Sequence, residues 1–259
     1  MLGVIETLIT ERISREGAIH FTLLDPERAP PEKSERISVA AEKAGSAGIM
    51  IGGSTLSSVD LLNNVIRSIK RSVKLPVIIF PNNITSISSY ADAIWFMSLL
   101  NSINSYFIIG AQALGAPMIK KSGLEAIPLG YLIIGEGGAA GFMGQANPIP
   151  YDKPEIAAMY ALAAEFLGMR FIYLEAGSGV KNPIPSNMIQ MVKRVSGSRL
   201  VVGGGIRTKE DAFQSVLAGA DILVTGTAIE DEKNAGENIS KFMDGIRSAV
   251  KRRKVDDIL

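Results

Sequence analysis

The sequence contains no cysteine and a single histidine, His20. With no thiol, disulfides, thiolate metal sites and cysteine nucleophiles are all excluded. One histidine removes His-pair zinc sites and argues against a Ser-His-Asp triad, so acid–base chemistry falls to carboxylates, Tyr, Lys or Ser. Net charge is equally scarce: 27 Lys and Arg against 26 Asp and Glu leave +1. So neutral a chain argues against a nucleic-acid binder, which must neutralise phosphates along a groove. The one dense basic run, Lys251-Arg252-Arg253-Lys254, reads as a solvated helix end where cations suit the dipole, the alternative being a recognition patch. No apolar run reaches the length of a transmembrane span, because Asp92 interrupts residues 91–100 and Glu165 interrupts residues 160–166. No signal-peptide pattern is visible, and the expectation is a soluble, cytoplasmic protein.

What is present points to a parallel sheet. The mean hydropathy of +0.22 is high for a soluble protein, and strands buried on both faces supply such an excess. Eight short apolar runs read as strands: residues 19–24, 48–51, 77–80, 93–98, 130–134, 171–175, 200–203 and 222–225. Segments 33–44, 61–71, 154–167, 187–195 and 209–217 carry apolar residues at three- and four-residue intervals, the helical period. Alternation of this kind means parallel pairing, since a parallel crossover needs about a dozen residues. Eight units in 259 residues fit a (β/α)8 TIM barrel. An open doubly wound sheet is the rival, but no GxGxxG follows the first strand. No shift in composition marks a boundary, so residues 1–259 read as one domain. Before residue 18, Ile5, Leu8, Ile9 and Ile13 form the stripe of an extra helix placed to close the barrel bottom. The methionines, including Met159, Met188 and Met191, read as packing.

In a barrel, chemistry gathers at the C-terminal strand ends. Asp25 follows the first strand, where one carboxylate could hold Mg²⁺ that keeps its waters and substrate phosphates; alternatively, Asp25-Pro26 starts a turn. Gly52-Gly53-Ser54-Thr55 allows close approach of a ligand, or is a turn before a helix cap at Ser57 or Ser58. In strand six a two-residue period puts Phe171, Tyr173 and Glu175 on one face, with Ile172, Leu174 and Ala176 opposite. Tyr173 and Glu175 then point into the barrel mouth. A buried Glu there has a raised pKa and can act as a base, or it pairs with Lys181 or Arg207. Gly177-Ser178-Gly179 follows directly. The seventh and eighth strands end in Gly203-Gly204-Gly205 and Thr225-Gly226-Thr227, where barrels commonly bind phosphate through backbone N–H groups. Residues 135–150 hold five glycines and read as a mobile loop, either a lid or a surface excursion. His20 reads as structural, and Trp95, Phe96 and Phe107 as core or as the lining of an apolar groove.

Taken together, HFTLLDP (20–26), IGGST (51–55), YLEAGSG (173–179), VGGGIR (202–207) and VTGTAI (224–229) resemble the geranylgeranylglyceryl phosphate synthases, archaeal ether-lipid prenyltransferases, and their bacterial heptaprenylglyceryl phosphate relatives. The motifs occur in order across most of the chain. The resemblance implies a TIM barrel that binds sn-glycerol 1-phosphate and geranylgeranyl diphosphate with Mg²⁺, as a dimer or hexamer. Carried over by position, it puts Asp25 and Ser54 at the metal and diphosphate. It gives glycerol phosphate to Tyr173, Leu174, Glu175, Ala176, Gly177, Ser178 and Gly179, together with Gly203, Gly204, Thr225 and Gly226. Glu175 is then the candidate base and Tyr173 orients the glycerol. A lipid donor is also compatible with transient contact at a membrane surface. The competing expectations are a phosphosugar isomerase or lyase on the same barrel, a donor longer than geranylgeranyl, and a phosphometabolite-binding module without activity. The first is disfavoured by the lack of a Lys at an inward strand end.

Overall fold

The computed structural model describes residues 2–56, 58–230 and 232–256. Ser57, one of the two expected helix caps, lies outside them; Ser58 caps its helix, accepting from the Leu61 amide at 3.2 Å. Eight strands close into a barrel in sequence order: β1 (Ile19–Leu24), β2 (Gly48–Ile51), β3 (Val77–Ile79), β4 (Ala93–Leu99), β5 (Glu125–Ile133), β6 (Phe171–Glu175), β7 (Arg199–Gly203) and β8 (Ile222–Thr225). All neighbours pair in parallel, including β8 with β1, where Thr22 lies beside Thr225. The (β/α)8 expectation holds.

Around the barrel stand α2 (Pro31–Ala44), α3 (Val59–Ser72), α4 (Ala111–Ser122), α6 (Pro154–Phe166), α7 (Ser186–Val195), α8 (Lys209–Ala218) and α9 (Ala235–Asp256), with α1 (Val4–Glu16) before β1 and the short α5 (Gly138–Met143) after β5. Local chemistry sets several boundaries. Pro31 opens α2, where its missing N–H has no helical partner to lose. At α8, the Thr208 and Asp211 side chains bond each other's backbone in a capping box. The β3–β4 crossover departs from the expected alternation: residues 80–92 carry only a 3₁₀ turn at Ile84–Ser86. Nor did periodicity disclose α4, whose Gly115 and Pro117 are poor helix formers.

Side-chain parity divides the core into two layers. Inward residues, among them Phe21, Met50, Trp95, Leu129 and Phe171, fill the barrel; outward residues such as Ile49, Leu132 and Leu200 meet the helices. Trp95 and Phe171 pack edge to face at 5.1 Å, worth about 0.5–1.5 kcal/mol beyond the area they bury. This double burial accounts for the high mean hydropathy. On α1, Ile9 and Ile13 pack into the inner layer, but Leu8 is 45% exposed. It stands about 100° round the helix from Ile9, off the buried line. The Glu125 carboxylate accepts the Ile5 and Glu6 amides at 2.7 Å each, anchoring the start of α1. Met188 is buried, whereas Met159 faces solvent on α6 and is not packing.

His20 is outward-facing and fully buried between strands and α9. Its Nε2 lies 2.8 Å from Thr225 Oγ1 and its Nδ1 3.1 Å from Ser46 Oγ. Burial drives its pKa down to about 3, so the imidazole is neutral.

Candidate active site

The barrel mouth is built first from aromatic residues. Parity turns Tyr131 of β5 and Tyr173 of β6 inward at neighbouring register positions. Their rings meet at 5.3 Å, and Phe80 lies within 5.5 Å of both. Glu175, one step above Tyr173, is buried. Its Oε1 accepts the Gly177 amide at 2.7 Å, and the Tyr131 and Tyr173 hydroxyls lie close enough to favour its ionised form. Burial pushes its pKa up against the opposing pull of those donors. Burial, reinforced by the adjacent carboxylate, also holds both tyrosines well above the usual phenol range. Glu175 therefore sits as a desolvated carboxylate held by neutral donors. Arg207 is not its partner: it donates to the carbonyls of Gly179 at 2.8 Å and Val180 at 3.0 Å.

Beside Glu175 lies a pocket of backbone. Gly204 has φ +81°, and a Cβ there would stand 2.6 Å from the Gly177 nitrogen and 2.7 Å from Glu175 Oε1. Only glycine permits this approach. Among the described residues, the amides of Ser178, Gly179, Gly204 and Gly205 donate to no protein acceptor. The Ser178 and Thr227 hydroxyls meet at 2.9 Å, joining the loops after β6 and β8. A cluster of unused N–H groups beside a short turn of helix, Thr227–Ile229, is the anion-binding arrangement of barrel mouths.

Next to the β8 loop, the loop after β1 presents Asp25. Its Oδ1 accepts the Glu27 amide at 3.0 Å, and its Oδ2 lies 3.9 Å from Arg28 Nε. Partial burial raises its pKa, chiefly by desolvation. A Cβ on Gly53 would collide with this carboxylate, so the β2 loop that carries Ser54 presses against Asp25. Among the described residues no three acidic or histidine side chains gather in a metal-ligand cluster.

Asp25, Glu175 and the glycine pocket line one cavity of about 620 Å³. From the mouth it runs along apolar residues, including Phe107 and Met143, into the sector that lacks a helix, where Ile87, Gly115 and Ile119 line it. Trp95 and Phe96 line it too while belonging to the core, so both readings of these aromatics hold. The 135–150 stretch contributes α5, not a featureless loop. Gly137 donates to Ala176 O at 3.1 Å, and the Asn101 amide bonds Ile133 O and Asn147 O at 2.9 Å each. Small residues allow α5 to sit directly over Ile133 and Leu99.

Of the residues expected at the site, Asp25, Ser54, Tyr173, Glu175, Gly177, Ser178, Gly179, Gly204, Thr225 and Gly226 all line the cavity. Three lie elsewhere. Leu174 and Ala176 have the opposite parity and pack under the helices, while Gly203 stands behind Tyr173, whose hydroxyl occupies the space of a Cβ. The Thr225 hydroxyl is engaged by His20. Tyr131 and Arg28 were missed by the sequence reading. Extending the fifth strand's alternation back through Leu129 and Ile127 turns Tyr131 inward, a signal that Pro128 obscured.

The sequence pattern of the PcrB family matches residues 10–246. The chain belongs to the PcrB family. Its similarity to curated PcrB-family relatives is nearly end to end. It is 52% identical over 236 residues to the geranylgeranylglyceryl phosphate synthase of Methanothermobacter thermautotrophicus, covering 91% of this chain and 96% of that one. To the enzyme of the same name from Thermococcus kodakarensis it is 52% identical over 249 residues, covering 95% and 98%. The crystal structure of (S)-3-O-geranylgeranylglyceryl phosphate synthase from Thermoplasma acidophilum, in complex with substrate sn-glycerol-1-phosphate, superposes with a TM-score of 0.91 at 40% identity, covering 96% of this chain and all of that one. A thiamine phosphate pyrophosphorylase from Pyrococcus furiosus, at 14% identity and a TM-score of 0.57, shares the fold alone.

Proposed function

We propose that this chain is a prenyltransferase joining geranylgeranyl diphosphate to the C3 hydroxyl of sn-glycerol 1-phosphate, giving geranylgeranylglyceryl phosphate and diphosphate. The observation that carries the reading is a single cavity in which a glycine-built anion pocket, a buried carboxylate and an apolar groove meet. The kinship with geranylgeranylglyceryl phosphate synthases supports the same substrates. A phosphosugar isomerase or a passive binding module has no use for the groove.

In this mechanism the amides of Ser178, Gly179, Gly204 and Gly205, with Gly177, Gly226 and the Thr227 hydroxyl nearby, hold the acceptor phosphate. Fixing the acceptor supplies proximity, bringing its hydroxyl to the reacting carbon. Tyr173 orients the glycerol, and Glu175 accepts the hydroxyl proton. The C3 oxygen forms its bond to the allylic carbon of the donor as that carbon's bond to diphosphate breaks, the electron pair leaving with diphosphate. Burial suits Glu175 to this task, since a desolvated carboxylate binds a proton more readily. The apolar groove takes the prenyl tail, where each buried CH₂ contributes about 0.8 kcal/mol.

The donor set at Asp25 fits Mg²⁺, which is commonly held by one or two carboxylates with substrate phosphates and water completing its shell. Asp25 and Ser54 would hold it. When bound, such an ion offsets negative charge on the departing diphosphate. We further propose a cytoplasmic homo-oligomer, dimer or hexamer, with transient contact at a membrane surface where the lipid donor resides. The exposed Met159, Phe166 and Leu167 on and just beyond α6 support self-association, and light scattering of the purified chain tests it.

The decisive experiment incubates the protein with Mg²⁺, sn-glycerol 1-phosphate and a series of labelled prenyl diphosphates. Ether product maximal with the twenty-carbon donor is expected. No ether product with any donor would overturn the reading, and a maximum with a longer donor would move the chain to the heptaprenyl type.

A further inference from the structure

The reaction proposed above brings three phosphate groups into one mouth, yet the cavity wall is poor in positive charge. Among its lining residues, Asp25, Glu175 and Glu230 are acidic, and only Arg28 and Arg207 are basic. The two arginines lie in different loops. Arg207 is spent on the carbonyls of Gly179 and Val180, where it shapes the acceptor pocket. Arg28 stands on the Asp25 side.

Its placement there is fixed by its own turn. The Arg28 and Ala29 amides donate to Asp25 O at 3.0 and 2.8 Å, and Lys33 Nζ donates to the Arg28 carbonyl at 3.1 Å. The guanidinium is held from one end only: Nη1 donates to Glu230 Oε1 and Oε2 at 2.9 and 3.2 Å. Its other edge, Nε and Nη2, makes no hydrogen bond among the described residues, and Nε lies 3.9 Å from Asp25 Oδ2. Two parallel N–H donors on that edge match the spacing of two oxygens on one phosphate. Glu230, in the loop after the neighbouring strand β8, thus holds one end of the guanidinium, while the Nε side turns toward Asp25 without a hydrogen bond.

We propose that Arg28 is a binding residue for the diphosphate of the prenyl donor, gripping it through the Nε–Nη2 edge while Glu230 holds the opposite end of the guanidinium. The inference rests on the prenyl-transfer reading but adds a contact that neither the glycine pocket nor Asp25 provides. Arg28 supplies permanent charge where Asp25 alone would repel the incoming anion.

Steady-state kinetics of the full-length protein with both substrates test it, using Arg28→Gln and Arg28→Lys. Arg28→Gln is expected to raise the KM for the prenyl diphosphate roughly 10- to 100-fold, the loss expected for a charged hydrogen bond, and to leave the glycerol phosphate KM within about twofold. Arg28→Lys, which keeps the charge without the fork, should fall between. A donor KM within about twofold of wild type in Arg28→Gln would overturn the inference, as would a parallel rise in both KM values, the mark of a merely structural disturbance. Calorimetric titration with inorganic diphosphate and Mg²⁺ reads the same contact without turnover. Wild-type binding that weakens at least tenfold in Arg28→Gln supports the contact even if no ether lipid forms, in which case the reaction reading falls alone. Equal diphosphate binding by the two proteins, with wild type active, sinks the Arg28 contact alone.

Discussion

The chain's single histidine makes one prediction unusually clean. His20 is fully buried, bonded to Thr225 and Ser46, and its pKa is lowered to about 3 by burial. In the unfolded chain an imidazole titrates near pH 6.5. Between these values the unfolded state binds the proton and the folded state does not, so stability is full above pH 6.5 and falls as the pH drops below it. Each pH unit in that window is worth up to about 1.4 kcal/mol, and near pH 7 the slope has largely vanished. From pH 7 to pH 5 the loss comes to about 2 kcal/mol. Any folded value below about 4 gives the same figure, because the folded imidazole is then already neutral at pH 5. In His20→Gln the amide cannot titrate. The variant is less stable at pH 7, having a disturbed buried network, but its stability should fall by about 2 kcal/mol less over the same interval. Carboxylates act equally in both proteins and cancel in the difference. Urea unfolding of the two proteins at pH 7, 6 and 5 measures it, and the lone imidazole's NMR signal should show no protonation down to pH 5. Parallel pH profiles, or an imidazole titrating near 6.5 in the folded protein, would refute the reasoning.

Three further outcomes concern the reaction. Asp25→Ala is expected to abolish turnover while glycerol phosphate binding, read by calorimetry, stays within about threefold; loss of that binding would show that Asp25 serves the acceptor instead. Glu175→Gln should lower kcat by roughly 10²- to 10⁴-fold with little change in KM. Because Glu175 must be ionised to accept a proton and burial raises its pKa, the wild-type rate should decline on acidification at a pH above that of an ordinary Glu. The same acidic limb in the variant would assign it to another group. Gly204→Ala places a methyl group against Gly177 and Glu175 at φ +81°, a strain of about 1–3 kcal/mol; a folded protein with weakened glycerol phosphate binding is expected, and unaltered kinetics would count against the pocket.

Much of this architecture was legible because the strands speak plainly. Buried on both faces, β1, β2, β6 and β8 appear as short, mostly apolar runs, and their observed limits coincide with the expected ones. The two-residue period of β6 also separated Tyr173 and Glu175 from Leu174 and Ala176. What that period cannot convey is which backbone atoms a ligand reaches; Leu174 and Ala176 entered the expected site through the resemblance, and their side chains face the helices. The sector from β3 to α5 was obscure for a different reason. Its helices contain Gly115, Pro117, Gly138 and Gly141, residues of poor helical propensity that blur the helical pattern. Arg28 was invisible because only the meeting of the loops after β1 and β8 gives it Glu230 as a partner.

The helix missing after β3 leaves the barrel with a stall for cargo outside its staves. The apolar lining at Ile87, Gly115 and Ile119 belongs to that outer sector, whereas Tyr131, Tyr173 and Glu175 stand on the inner wall. On the proposed reaction, holding the hydrocarbon and making the bond would fall to separate parts of the molecule. Deepening or shortening the stall would retune the enzyme to another lipid without disturbing the atoms that react.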